Sequence, residues 1–209
     1  MFIRKPSRMT RRAHTLAPVL AGTLLLASCQ SLMPLDTSSL DRAGMTYDSI
    51  KVLKALHISQ PEVLEIAEAR QAGLPDSDCV ALLQIFHDRH EQFTAAKAVV
   101  GMLHSGMRDG IILGLANMDQ LGLGSGELQA MHLAGLSDEI ILEVAHRHAS
   151  GQPVLSGASL ATMRNARLDN ATLLELVRRG VPNSETVDIV TLRHSGNSDA
   201  EILHRLPAQ

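Results

Sequence analysis

Aromatic side chains are nearly absent from this chain of 209 residues, which has one tyrosine, three phenylalanines and no tryptophan. Proteins that hold sugars or single-stranded nucleic acid usually stack aromatic rings on the ligand. The shortage of rings therefore disfavours both classes of ligand.

A long hydrophobic run is also missing near the amino terminus. The stretch from Leu16 to Ala27 carries no charge, but its length of about a dozen residues is short of the roughly 20 that a membrane-spanning helix needs. No acidic residue occurs before Asp36, whereas five basic residues precede the stretch: Arg4, Lys5, Arg8, Arg11 and Arg12. A basic segment followed by a short apolar one is typical of an export signal.

The apolar stretch ends in Leu26-Ala27-Ser28-Cys29. This resembles the lipobox of bacterial lipoproteins, in which small residues precede a cysteine that becomes the first residue of the mature protein. The resemblance implies cleavage after Ser28, a diacylglyceryl group on the Cys29 thiol and acylation of the new amino terminus. Because stable anchoring takes more than one acyl chain, these groups together would hold the chain on a membrane. An ordinary export signal with an incidental cysteine is the alternative.

The residue after the cysteine bears on which membrane is used. In the lipoprotein family, an aspartate at this place often indicates retention in the inner membrane. Gln30 stands here instead, which favours the outer membrane and leaves open whether the domain faces the periplasm or the cell surface. We therefore expect a lipid-anchored protein of the cell envelope.

Removal of the signal makes the chain more acidic. The full sequence has 19 basic and 22 acidic residues, and five of the basic ones lie in the signal, which leaves 14 minus 22, or a net charge of −8. Nucleic acid and anionic lipid both require clustered cations, so we expect no nucleic-acid partner. If Cys29 is acylated, Cys79 is the only thiol left, and its apolar neighbours predict a buried position.

One pattern recurs from Thr46 onward at intervals of about 30 residues, and we define each repeat by an anchor residue. The anchors are Gly73, Gly106, Gly135, Arg167 and Gly196. Apolar residues stand four and seven places before the anchors: Ala69, Met102, Met131, Met163 and Leu192 at four, and Ile66, Val99, Leu128, Leu160 and Ile189 at seven. An Asx residue stands three places after each anchor: Asp76, Asp109, Asp138, Asn170 and Asp199. Apolar pairs begin six places after each anchor, at Cys79, Ile112, Ile141, Leu173 and Ile202.

This pattern predicts an all-α fold of about five helical hairpins. The apolar spacing marks one face of a helix, a glycine permits the left-handed backbone that ends a helix, and an Asx side chain is expected to cap the next helix. Arg167 departs from the pattern, so we expect a right-handed turn or a different chain exit there. Stacked hairpins form an α-solenoid, with a compact helical bundle as the alternative.

The predicted organisation has three parts. Residues 1–28 are the lipoprotein signal peptide, residues 29–45 a lipidated tether without helical period, and residues 46–209 the helical-hairpin repeat domain, which opens with a helix near residues 48–57. The repeat length is close to that of tetratricopeptide repeats, but the residues typical of that family are missing.

Nine histidines follow the signal, and two of them form the best candidate for a metal site. His87 and His90 are three residues apart on one predicted helix, with Glu91 beside them. Zinc needs three or four converging ligands, so these residues are weak candidates. No other group of residues has the spacing of a catalytic site, and no cofactor is expected.

The sequence is compatible with two functions. The first is a non-enzymatic binding scaffold for a protein or peptide, anchored to the membrane through Cys29, because stacked hairpins present an extended surface. The second is a histidine-dependent metal-binding protein or hydrolase of the cell envelope.

Overall fold

The computed structural model of the chain describes residues 34–123 and 125–206. The predicted signal peptide and the predicted acylation site Cys29 lie outside these residues. The chain divides into two units, Met1–Leu35 and Asp36–Gln209. The described residues of the second unit form twelve α-helices and no strand, so the predicted all-α class is confirmed.

The helices alternate between the first and the second member of six successive hairpins. The first members are α1 (Ser38–Arg42), α3 (Gln60–Gln71), α5 (Ala96–His104), α7 (Ser125–Leu133), α9 (Gly157–Asn165) and α11 (Thr186–His194). The second members are α2 (Tyr47–Ala55), α4 (Asp76–Asp88), α6 (Asp109–Asn117), α8 (Asp138–Ala149), α10 (Asn170–Arg178) and α12 (Asp199–Arg205). A short 3-10 turn, Asn183–Glu185, precedes α11. Of the helices in the described part of the chain, none combines the length and apolarity that crossing a bilayer requires.

Each of the five predicted anchors separates the two helices of one hairpin. A sixth hairpin, formed by α1 and α2 around Gly44, was not predicted. The predicted tether of residues 29–45 is therefore too long at its carboxyl end, because Leu40 of α1 is completely buried and Met45 nearly so. A helix of five residues is too short to show an apolar period, which is why its sequence reads as a linker.

The hairpins stack in two layers. In the first layer, α1, α3, α5, α7, α9 and α11 pack each against the next, and in the second layer α2, α4, α6, α8, α10 and α12 do the same. Each helix packs mainly against the corresponding helix of the next hairpin. This packing is expected of an α-solenoid, in which each repeat contacts its neighbours.

The core consists of the apolar positions that define the repeat. The residues seven places before the five anchors and six places after them are all completely buried. Leu192, four places before the last anchor, is only half-buried, since no further described hairpin follows it. Cys79 is completely buried, as predicted, and burial raises the pKa of its thiol to about 12.

The turn at Arg167 has the same left-handed backbone conformation as the glycine turns. Arg167 has φ = +69°, close to the +76° of Gly135 and the +88° of Gly196. The expected right-handed turn is therefore wrong. A left-handed conformation costs a residue with a side chain about 1–2 kcal/mol, so the packing on both sides of this turn imposes it.

The repeated Asx residues do not cap the second helices, which corrects the prediction. Each is the first residue inside its helix, and the cap position belongs to the preceding residue: Pro75, Arg108, Ser137, Asp169 and Ser198. Asp76 instead accepts the backbone N–H of Thr46 in the preceding hairpin (Oδ2 to N, 2.8 Å). At Asp76 this position therefore joins two successive hairpins.

Candidate functional site

The three candidate metal ligands do not converge. His87 Nε2 lies 2.9 Å from Glu62 Oε1, and Glu91 Oε2 lies 3.0 Å from Arg89 Nε. His90 is exposed and has φ = +60°, so it is the left-handed residue in the turn that follows α4. Among the described residues, no group of three or more His, Cys, Asp and Glu side chains is arranged to hold a metal ion.

The partner of His87 is the most buried acid among the described residues. Glu62 is 2% exposed, and it accepts the backbone N–H of Ser59 (2.8 Å) and of Phe93 (3.2 Å) in addition to contacting His87. Burial is the strongest single influence and favours the neutral acid, but these partners together outweigh it and lower the pKa of Glu62. Glu62 therefore joins α3, the end of α4 and the segment before α5. The sequence signal for part of this network is a capping box, a serine followed three places later by glutamate.

Three other histidines lie at the carboxyl ends of first helices. His104 and His194 are the last residues of α5 and α11, and His132 is the second-last residue of α7. A side chain that can carry positive charge interacts favourably with the carboxyl end of a helix. These histidines therefore have a reason to be present that requires no ligand.

A surface that sequence reasoning did not single out runs along the first-helix layer. Its residues stand nine, five and two places before each anchor, which places them on one face of each helix. We call this surface the outer stripe; it comprises Leu64, Glu68, Gln71, Lys97, Gly101, His104, Gly126, Ala130, Leu133, Ala158, Thr162, Asn165, Val187, Thr191 and His194. All of these residues are exposed except Gly101, which is half-buried.

The outer stripe is poor in charge and rich in small side chains. From α5 to α11 its one formally charged residue at neutral pH is Lys97, while glycine, alanine and threonine occupy half of the positions. Five large apolar side chains are exposed in the described residues, and three of them lie on the stripe: Leu64, Leu133 and Val187. Such a surface matches an apolar partner face better than a charged one.

The second-helix layer presents a different surface. Arg178 of α10 and Glu139 of α8 form an exposed ion pair across neighbouring helices (Nη2 to Oε1, 3.2 Å). Arg179 pairs with Glu175 along α10 (Nε to Oε1, 2.8 Å). The exposed faces of the two layers therefore differ in chemistry.

Close helix packing supports the centre of the outer stripe. The side-chain amide of Gln129 in α7 lies against Gly101 of α5, where a Cβ atom would meet it. A Cβ atom at Gly157 of α9 would lie 2.7 Å from Cγ of Glu127 in α7. The carboxylate of Glu127 also accepts the backbone N–H of Gly157. Helices α7 and α9 are thus packed closely beneath the stripe.

Comparison with known protein families finds no family that matches the chain, and comparison with curated proteins finds no match either. What the chain can bind therefore has to follow from the surfaces that its hairpins present.

Proposed function

We propose that the chain is a lipid-anchored protein of the bacterial cell envelope whose helical repeat domain binds another protein or a peptide, without catalysis. The observation that carries the binding role is the outer stripe, a surface that continues across α5, α7 and α9 with Lys97 as its one formally charged residue. Stacked repeats use such continuous surfaces to hold extended partners.

The chemistry of the partner follows from the chemistry of the stripe. Small residues such as Ala130 and Ala158 let another chain approach the helices closely, and Leu133 offers an apolar contact that is 73% exposed. An amphipathic helix or an extended segment with an apolar face would bury these side chains at little desolvation cost. A strongly acidic or basic partner would leave its charges facing uncharged groups.

The anchor is supported by the lipobox-like residues Leu26-Ala27-Ser28-Cys29. The other thiol of the chain, Cys79, is buried in the core, so Cys29 is the thiol proposed to carry lipid. Gln30 after the cysteine favours the outer membrane. Cys29→Ala is expected to abolish metabolic labelling with a fatty acid and to release the protein from membranes. Labelling that persists in this variant would refute the anchor.

The binding role is tested by photocrosslinking in cells. A photoreactive amino acid at position 133, or separately at position 162, is expected to yield a defined crosslinked product. Leu133→Glu is expected to abolish the product that forms from position 162. Position 84 in α4 provides the matched control, because Gln84 is also exposed but belongs to the second-helix layer. Equal products from positions 84 and 133, or none from the stripe, would contradict the proposal.

A further inference from the structure

The first described hairpin differs from the others on the side of α2 where each later hairpin meets the one before it. The residues seven and ten places after the anchor are apolar in the next four hairpins: Val80 and Leu83, Leu113 and Ala116, Leu142 and Ala145, and Leu174 and Val177. In the first hairpin the turn residue is Gly44, and the places seven and ten residues after it hold Lys51 and Lys54, both exposed. A terminal repeat requires a polar outer face, which accounts for polar residues here but not for their sign.

Tyr47 lies on the same face as the two lysines. Tyr47, Lys51 and Lys54 are spaced i, i+4 and i+7, so they form one stripe along α2, which we call the end stripe. Tyr47 is 79% exposed, and Val52 of the same helix is 46% exposed. Tyr47 is the single tyrosine of the chain, and Lys97 is the one other lysine that follows Cys29. A face that served only solubility would not expose the tyrosine.

The charge of the chain is distributed unevenly along the stack. Residues 36–57, which contain the first hairpin, hold three acids and three bases, and are neutral. Residues 58–209 hold 11 basic and 19 acidic residues, so this part carries the whole net charge of −8. An anionic surface therefore repels the rest of the stack taken as a whole, whereas the first hairpin has no net charge to be repelled.

Covalent length keeps the first hairpin close to the proposed anchor. From Cys29 to Asp36, where the compact unit begins, there are 36 minus 29, or seven, residues. A fully extended chain spans at most about 3.3–3.6 Å per residue, which limits this distance to about 25 Å. The first hairpin, whose acids and bases balance, therefore begins within this distance of the proposed anchor.

We infer that the end stripe of α2 lies on the anionic membrane surface that holds the anchor, with Tyr47 among the lipid headgroups and Lys51 and Lys54 on their phosphates. This inference rests on the proposed lipid anchor. Tyrosine is enriched at membrane interfaces because its ring is apolar and its hydroxyl polar, and lysines near an anionic leaflet are attracted to it. Docking by this end directs the later hairpins, and with them most of the outer stripe, away from the bilayer.

The fluorescence of Tyr47 provides the test, because the chain has no tryptophan and no second tyrosine. The acylated protein is reconstituted in vesicles that contain phosphatidylglycerol and, separately, in vesicles of phosphatidylcholine alone. In the anionic vesicles we expect a several-fold weaker quenching by acrylamide than in the neutral ones, and quenching by lipids brominated near the headgroup. Equal access of acrylamide to Tyr47 in both vesicles would overturn the inference.

Matched variants separate the end stripe from general membrane proximity. The double variant Lys51→Gln and Lys54→Gln is expected to restore acrylamide access in anionic vesicles, while Lys97→Gln is expected to leave the protection unchanged. Protection that persists in the double variant would overturn the role of the lysines. Flotation of each sample with its vesicles tests the anchor itself: a protein that does not float overturns both proposals, and one that floats with Tyr47 accessible overturns this inference alone.

Discussion

The carboxylate of Asp199 accepts the backbone N–H of Asp169 across the joint between two successive hairpins (Oδ2 to N, 2.9 Å). Its other oxygen pairs with Arg193 (Oδ1 to Nη1, 2.9 Å), and Arg193 also donates to the carbonyl oxygen of Arg167 (3.1 Å). An arginine and an aspartate of one hairpin thus hold the turn of the preceding hairpin from both sides.

The same arrangement joins the first two hairpins. Asp76 accepts from the N–H of Thr46, Arg70 donates to the carbonyl oxygen of Gly44 (3.3 Å), and the two side chains pair with each other (2.6 Å). At the third hairpin the residue in the place of Thr46 is Pro75, which has no N–H to donate, so Asp109 has no such bond available. The arrangement of arginine and aspartate therefore requires a residue with a backbone N–H at the cap position of the preceding hairpin.

Asp76→Ala is expected to lower the free energy of unfolding by about 1–3 kcal/mol, because a charge-assisted hydrogen bond to the backbone is lost and Arg70 loses its partner. Asp138→Ala is expected to lower it by at most about 1 kcal/mol, because its partner Arg108 is 77% exposed and exposed ion pairs contribute little. Urea unfolding of both variants tests this order. Equal losses would indicate that both acids act in the same way, as helix caps.

Arg167→Gly is expected to stabilise the protein by about 0.5–1 kcal/mol, since glycine removes the strain of a left-handed backbone but gains freedom in the unfolded chain. The bond from Arg193 is retained, because its acceptor at position 167 is the backbone carbonyl. The reverse substitution, Gly196→Arg, is expected to destabilise by a similar amount, and a Cβ atom there would meet nothing within 4 Å. Thermal unfolding measures both variants, and a destabilised Arg167→Gly protein would contradict the strain.

His87→Ala is expected to destabilise the protein by about 1–3 kcal/mol, because buried Glu62 loses a hydrogen-bond partner. His90→Gly is expected to have the opposite sign and to stabilise by about 0.5–1 kcal/mol, because it relieves a left-handed histidine. Chemical unfolding and metal analysis are made on the same purified samples. Stoichiometric zinc that is lost when both histidines are replaced would favour the metal-binding alternative over these structural roles.

Acid is expected to destabilise the fold below about pH 5. The pKa values of Glu62, Asp76 and Asp169 are lowered from ordinary values of 4.5, 3.8 and 3.8. For Asp169 the leading cause is the hydrogen bond from the backbone of Thr172, whereas for the other two the hydrogen bonds outweigh an opposing effect of burial. A carboxyl whose pKa is lower in the folded state adds stability above its unfolded pKa, and that stability is lost as the pH falls.

Urea unfolding between pH 7 and pH 3 measures this loss, and Glu62→Gln is expected to show a shallower dependence on pH together with lower stability at pH 7. The glutamine keeps the size of the side chain but removes its titration. A variant with the same slope as the unchanged protein would exclude Glu62 as a contributor.

Part of the outer stripe could have been predicted from sequence. Once the buried positions four and seven places before each anchor are known, helical geometry places the residues at two, five and nine places on another face of the helix. Ala130 and Leu133 are examples. Whether that face is free depends on what packs against α7, and the sequence of one hairpin does not contain this information.

The sequence by itself determined the described helices from α2 onward and five of the six hairpin turns, because apolar periodicity and turn residues act within about ten positions of one another. It also contains the lipobox-like residues before Cys29. The tertiary structure decided the conformation of Arg167, the burial of Leu40 in a short first helix and the contact of Asp76 with Thr46. Each of these depends on neighbouring helices or on a hairpin about 30 residues away, and the stack exists only after both hairpins have formed.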